Sequence, residues 1–315
     1  MTSGDIGRFG AVVTAMITPF DDEGAVDLDG AARLARWLAA NGSDGLVLAG
    51  TTGESPVLSD PEMLDLCRAV SEAVNIPVIA GTGTNDTRHS IERTRTARDA
   101  GVDAVLLVTP YYSRPSQAGL AAHFEAVAET TSLPVLLYDI PVRSGRKISH
   151  ETMLHLARDV ANIVGVKDAG ADVAASARTV ARAPRGFELY SGDDSLTLAL
   201  LAVGAVGVVS VASNWAPRQM SEMVEAFTKG EVDRARALNA SMIESYDFGS
   251  TEDFPNPLPA KAACRALGLP AGQCRLPLGP APSELDERAA EVLRGLGLNA
   301  ATSAGEAGGA GGTLA

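Results

Sequence analysis

Eight times between residues 11 and 213, a short apolar run ends in Gly, Pro, Asp, Ser or Thr and gives way to a more polar stretch. The runs are AVVTAMITPF (11–20), GLVLAG (45–50), PVIAG (77–81), AVLLVTP (104–110), PVLLYDIP (134–141), IVGVKDA (163–169), FELYSGDD (187–194) and GVVSVAS (207–213). None alternates apolar with polar residues, as expected of strands buried on both faces of a parallel sheet. Between them lie stretches with helical spacing, such as DLDGAARLARWLAANG (27–42), PEMLDLCRAVSEAV (61–74), RHSIERTRTARDAG (88–101) and GLAAHFEAVAETT (119–131). Ser59 or Asp60 ahead of Pro61 and Gly101 after a last turn are plausible helix caps. Eight strand–helix units on one chain favour a closed α/β barrel, the (β/α)8 or TIM barrel. An open doubly wound sheet stays as the alternative, because periodicity alone does not show closure. Residues 1–230 are expected to form the barrel. Helical patterns at 231–246, 256–269 and 283–298 predict a C-terminal helical domain over 231–298. The Gly- and Ala-rich 299–315 are expected to form a disordered tail.

Composition excludes several classes of function. At 315 residues and 46% hydrophobic content the chain can bury a large core. A net charge of −13 and a pI near 4.8 argue against nucleic acid or an anionic membrane surface as partner. Cys67, Cys264 and Cys274 are an odd number without a Cys-x-x-Cys pair, which fits a reducing compartment. The first residues lack the basic and apolar regions of a signal peptide, and no apolar run reaches the roughly 18 residues of a membrane span. A soluble, cytoplasmic protein is expected. His89, His123, His150 and His155 show no zinc-ligand spacing with a third ligand, so no metal is inferred.

Active sites of such barrels sit at the C-terminal ends of the strands. Thr51, Thr52 and Glu54 follow the second apolar run, Tyr111 and Tyr112 the fourth, and Tyr138 and Arg143 the fifth. Lys167 ends the sixth and Ser210 the eighth. Only Lys147, Lys167, Lys229 and Lys261 among the 26 basic residues are lysines, and Lys167 closes an apolar strand. Partial desolvation there favours the neutral amine, a nucleophile that forms Schiff bases with carbonyl carbon. Arginine cannot do this. The competing reading pairs Lys167 with its neighbour Asp168 at the rim. The other three lysines sit in polar or helical contexts and call for no chemical explanation. Tyr138, on the adjacent strand, has a phenol suited to proton transfer, or is simply a buried aromatic. AGTTGESP (49–56) offers hydroxyls and backbone N–H groups for a carboxylate but lacks the ending of a phosphate loop. GTGTND (81–86) lacks the third glycine of a dinucleotide fingerprint. Arg143 is either a bidentate carboxylate ligand or an exposed rim arginine.

GTTGES, TPYYSRPSQAGLAAHF, YDIPVRSG, GVKDA, YSGDD, GVVSV and NPLPAK occur in that order. From about residue 10 to 298 the chain closely resembles the 4-hydroxy-tetrahydrodipicolinate (dihydrodipicolinate) synthases, within the N-acetylneuraminate lyase-like class I aldolases. The resemblance implies a barrel with a C-terminal helical domain, assembled as a homotetramer. It implies condensation of pyruvate with L-aspartate 4-semialdehyde in the diaminopimelate branch of lysine biosynthesis, with no cofactor beyond the covalent intermediate. By the same resemblance Lys167 forms the Schiff base, and Tyr138 is the acid/base. Thr51 and Tyr112 complete a proton relay, with Tyr112 supplied by a neighbouring subunit. Thr52 and Val209 contact pyruvate, and Arg143 takes the carboxylate of the semialdehyde. Related N-acetylneuraminate and 2-keto-3-deoxy sugar acid lyases share the lysine and tyrosine. Arg143 and the Thr51-Thr52 pair favour the synthase. A non-catalytic barrel is the third alternative, disfavoured by the intact Lys167, Tyr138, Tyr112 and Thr51. Ser55, Asn85 and Tyr111 match the inhibitory lysine pocket of the family. His89 replaces an expected acidic residue and Met63 an expected histidine, so lysine inhibition is expected to be weak or absent.

Overall fold

A computed structural model of the chain describes residues 7–249 and 251–300. Each predicted apolar run contains one strand: β1 (Val12–Ala15), β2 (Gly45–Leu48), β3 (Val78–Gly81), β4 (Ala104–Val108), β5 (Val135–Asp139), β6 (Ile163–Asp168), β7 (Glu188–Ser191) and β8 (Gly207–Ser210). Every strand pairs in parallel with the next, and β1 pairs with β8. Closure eliminates the open-sheet alternative. The strands look uniformly apolar because both faces are covered. Val13, Val47, Ile79, Leu106, Leu136, Tyr138 and Val209 fill the lumen, whereas Val12, Leu46, Leu48 and Val78 belong to the layer beneath the helices.

One irregularity matters for the chemistry. Between β5 and β6 the register runs Val135 to Ile163 and then Leu136 to Gly165, skipping Val164. This bulge moves every later pairing by one residue, so that Tyr138 lies beside Lys167 rather than beside Val166. A one-residue slip also exchanges the two faces of a strand. Gly165 is required at this point, since a Cβ would lie 2.4 Å from the Glu188 carbonyl oxygen.

The outer layer consists of α1 (Leu28–Ala40), α2 (Asp60–Ser71), α3 (Thr87–Arg98), α4 (Gln117–Ala128), the single turn α5 (Pro141–Ser144), α6 (His150–Asp159), α7 (Val173–Arg182), α8 (Thr197–Ala202) and α9 (Pro217–Thr228). Ser59, rather than Asp60, caps α2, in a reciprocal capping box with Glu62. Beyond the barrel lie α10 (Val232–Ser241), α11 (Ile243–Gly249), α12 (Leu258–Ala266) and α13 (Ser283–Gly295). The single helix expected over 231–246 is thus two. Ser241 Oγ donates to the Leu238 carbonyl at 2.7 Å, a local bond that competes with the helical ladder, and Met242 is buried at the break. The break aims α11 at the barrel, where Ser245 accepts from Trp215 Nε1 at 3.1 Å. The expected disordered tail lies, from residue 301 on, outside the described residues.

Candidate active site

Lys167 and Tyr138 are register partners on β6 and β5, both facing the lumen at the C-terminal end of the barrel. Lys167 is 4% exposed, and its Nζ stands 4.3 Å from the centroid of the Tyr138 ring. Among the described residues Lys167 has neither an ion pair nor a hydrogen bond from its amine. The competing pairing with Asp168 does not form, and strand alternation explains why: the next residue faces outward. Asp168 Oδ1 accepts from Gly170 N at 2.9 Å, and Oδ2 accepts from Ser176 Oγ at 2.6 Å. Its outward-facing register partner Asp139 accepts from Ile148 N at 3.1 Å and lies 3.3 Å from Lys147 Nζ. Burial pushes the Asp139 carboxyl up to about 6, against the opposing pull of Lys147. The carboxylates next to the two central residues are therefore spent on the barrel wall.

Two depressions meet at the mouth. One, of about 440 Å³, is lined by Lys167, Tyr138, Thr51, Thr52 and Arg143, together with Asp193, Asp247 and Asn256. The other, of about 400 Å³, shares Thr51, Tyr138 and Arg143 and extends to Tyr111 and Tyr112. Lys167, Tyr138, Thr51, Thr52 and Arg143 are thus brought together. Arg143 stands on α5, whose first turn is set by Pro141 and closed by Gly145 at φ 71°. Val209 lies behind these residues in the lumen cluster with Tyr138, and Ser210 is buried, its hydroxyl accepting from Ser213 N at 2.9 Å. Tyr112 is different. It is 91% exposed at φ 74° and turns toward solvent at the outer edge of the second depression. Five non-glycine residues with positive φ occur among the described residues: Ala49, Glu54, Tyr112, Arg114 and Ala171. All five lie in loops that leave the C-terminal ends of β2, β4 and β6.

Glu54 does not join the mouth, contrary to expectation. Its side chain turns away into the base of the C-terminal helices, where Oε1 lies 2.6 Å from Lys261 Nζ. Lys261 is 0% exposed, so the expectation that it calls for no explanation is corrected as well. The signal was present in the sequence: a scarce lysine stands inside the small-residue run PAKAAC. Sequence reasoning also assigned no role to Asn256, which donates from Nδ2 to Thr52 Oγ1 at 3.0 Å. Nor did it assign one to Asp194, whose Oδ2 accepts from Val211 N and Ala212 N, pinning the loop after β8. Burial raises the Asp194 carboxyl. The NPLPAK and YSGDD motifs carry these residues, but their partners are non-local.

Near Tyr111 and Ser55, His89 Nε2 lies 2.9 Å from an Asp60 oxygen, and Arg93 Nε is 3.6 Å from the same carboxylate. Met63 is fully buried. No group of His, Cys, Asp and Glu able to hold a metal converges among the described residues. No helix among them is long and apolar enough to cross a membrane.

The model of the dihydrodipicolinate synthetase family matches residues 8–295. This chain belongs to that family. The 4-hydroxy-tetrahydrodipicolinate synthase of Moorella thermoacetica is 49% identical over 293 residues, covering 92% of this chain and 99% of the relative. The crystal structure of a dihydrodipicolinate synthase from Bacillus anthracis superposes with a TM-score of 0.88 at 44% identity, covering 92% of this chain and 99% of that one. A chloride-inhibited dihydrodipicolinate synthase from Acinetobacter baumannii, solved in complex with pyruvate, gives a TM-score of 0.88 at 36% identity, covering 92% and 100%. Family members therefore share this barrel over nearly their whole length.

Proposed function

We propose that this chain catalyses the 4-hydroxy-tetrahydrodipicolinate synthase reaction, condensing pyruvate with L-aspartate 4-semialdehyde through a Schiff base on Lys167. The observation that carries the proposal is the buried Lys167 amine, without a carboxylate partner among the described residues and set against the Tyr138 ring. An amine held that way is available to attack the keto carbon of pyruvate. The carbinolamine loses water to give the imine, with Tyr138 and Thr51 moving the protons. Removal of a methyl proton yields the enamine, whose carbon adds to the aldehyde of the second substrate. The α-amine of that substrate then displaces Lys167, closing the ring and freeing the lysine for another turnover. Arg143, exposed beside both depressions, supplies a guanidinium for the carboxylate of the semialdehyde. Thr52 and Val209 line the pyruvate end.

Membership in the family supports this reading, as does a family structure complexed with pyruvate. In the proposal no cofactor is needed, since the substrate itself becomes the electron sink. Tyr112 serves a neighbouring copy's site in a homotetramer: an exposed tyrosine held at positive φ gains its use from a partner. The enzyme works in the cytoplasm, and lysine inhibits it weakly or not at all, because His89 and Arg93 already draw on the Asp60 carboxylate. Half-maximal inhibition by sub-millimolar L-lysine would contradict that last point. The main test is turnover of pyruvate plus aspartate semialdehyde, set beside cleavage of N-acetylneuraminate and of 2-keto-3-deoxy sugar acids. Preference for the semialdehyde is expected. Preference for a sugar acid would assign the lyase alternative, and no turnover of any of them would leave the non-catalytic barrel.

A further inference from the structure

Thr51 is the relay member whose position is hardest to explain locally. Its hydroxyl makes no hydrogen bond among the described residues, so the course of its backbone bears directly on where it points. That backbone is a tight knot. Glu54 N donates to Thr51 O at 3.1 Å, Ser55 N to Gly50 O at 3.1 Å, and Thr18 Oγ1 to Gly53 O at 2.7 Å. At Gly53 a Cβ would meet Ala49 N at 2.9 Å, so the chain folds closely on itself there. The knot is braced by its own backbone and by Thr18 beside β1, and further grips reach it from the C-terminal helices.

Two grips come from one short segment. Asn256 Nδ2 holds Thr52 Oγ1, and Lys261, on the first turns of α12, holds Glu54. The Lys261 amine also donates to Gln273 O at 2.9 Å and lies 4.0 Å from the centroid of the Phe20 ring. The second oxygen of Glu54 accepts from Arg275 N at 3.0 Å. The Lys261 and Glu54 side chains are 0% and 1% exposed. A buried ion pair contributes little net stability compared with apolar residues of similar size. What it imposes is geometry, because each charge tolerates only an arrangement in which its partners are met.

We propose that the Glu54–Lys261 pair, together with Asn256, is the device that orients the 51–54 loop and so aims the Thr51 hydroxyl at Tyr138. Glu54 and Lys261 are then positioning residues for a reaction they do not touch. The inference rests on the Schiff-base reading above, with Thr51 in the relay. It predicts that breaking the pair leaves the equilibrium extent of imine formation between pyruvate and Lys167 near wild type, while slowing the proton transfers that form the imine and convert it to the enamine.

The test is the double variant E54Q/K261M. The glutamine oxygen keeps the bond from Arg275 N, and no buried charge is left unpaired. Two quantities are read on folded protein: the extent of borohydride-trapped pyruvate adduct, and the rate at which pyruvate methyl protons exchange with D2O. Adduct formation at the wild-type half-saturating pyruvate concentration is expected, with exchange and kcat about 100-fold slower, the scale of a 1 Å misplacement. The conservative variant E54D keeps the charge and retracts it by one methylene. It is expected to retain the adduct and lose about tenfold in exchange. Near-wild-type exchange in a folded variant overturns the inference. So does a parallel fall of adduct and exchange, which is the mark of a merely structural pair. A wild-type chain that gives neither adduct nor exchange sinks the Schiff-base reading itself, and this inference with it.

Discussion

Two lysines in this chain are buried against an aromatic ring, and their partners set them apart. Lys167 is 4% exposed with its amine 4.3 Å from the Tyr138 centroid, and Lys261 is 0% exposed with its amine 4.0 Å from the Phe20 centroid. Burial and ring contact are nearly the same, whereas the partners differ completely. Lys261 meets the Glu54 carboxylate and the Gln273 carbonyl. Among the described residues Lys167 meets neither a carboxylate nor a carbonyl, because strand alternation turns Asp139 and Asp168 to the outer face. Desolvation alone does not make a lysine a nucleophile. In the proposed mechanism the lysine without a counter-charge is the nucleophile, and the one with a counter-charge is a structural clasp.

The sharpest way to break this comparison is to remove each lysine in turn. Lys167→Ala should lower kcat by more than about 10⁴-fold, the scale of deleting a covalent nucleophile. Its urea midpoint should stay near wild type, since no buried partner is orphaned. Steady-state assay and urea titration on one preparation check both parts. Lys261→Met should reverse the pattern. It leaves the Glu54 carboxylate buried and unpaired, so unfolding should become easier by about 3–5 kcal/mol in urea titration. The protein that remains folded should still be trapped by pyruvate and borohydride.

Smaller effects sharpen the picture around the clasp. Arg275 binds Glu62 at 2.5 Å and holds its carboxyl down, from 4.5 to about 2. A depressed carboxyl stabilises the fold above its unfolded value, and the contribution disappears as pH falls through the folded one. Glu62→Gln should therefore flatten the acid limb of the stability profile between pH 4.5 and about 2. Asp139 carries the opposite sign, since its folded carboxyl is raised from 3.8 to about 6. The folded state binds the extra proton between those values, so its contribution is fully present below pH 3.8 and is lost as pH rises through about 6. Asp139→Asn should remove that decline, with the smallest effect of the set. Thermal melts at pH 4 to 8 would show it, and an unchanged slope would contradict it.

The barrel was legible because its strands are buried on both faces, which leaves continuous runs such as VLLY and GVVS with no alternation to misread. Lys167, Tyr138, Thr51 and Arg143 were legible for a related reason: the closed fold places strand ends at one mouth. Their mutual geometry was less so. The bulge at Val164 that sets Lys167 beside Tyr138 is a pairing irregularity, with no signature in local composition. The clasp was missed because its contacts are remote. Asn256 reaches Thr52 across 204 positions, and Arg275 N reaches Glu54 across 221. Helical periodicity told where Lys261 sits along α12 and nothing of the carboxylate it would meet. The break at Met242 was hidden for the opposite reason: a local hydroxyl bond from Ser241 interrupts an otherwise continuous helical pattern.

The central claim is that one buried lysine is the nucleophile and the other is not. Incubation of the chain with pyruvate and borohydride, followed by peptide mass spectrometry, tests it directly. The account predicts a single reduced adduct, N-(1-carboxyethyl)lysine at residue 167, with the peptide containing Lys261 unmodified. An adduct at Lys261, or none at Lys167 under conditions where the enzyme turns over, would contradict it.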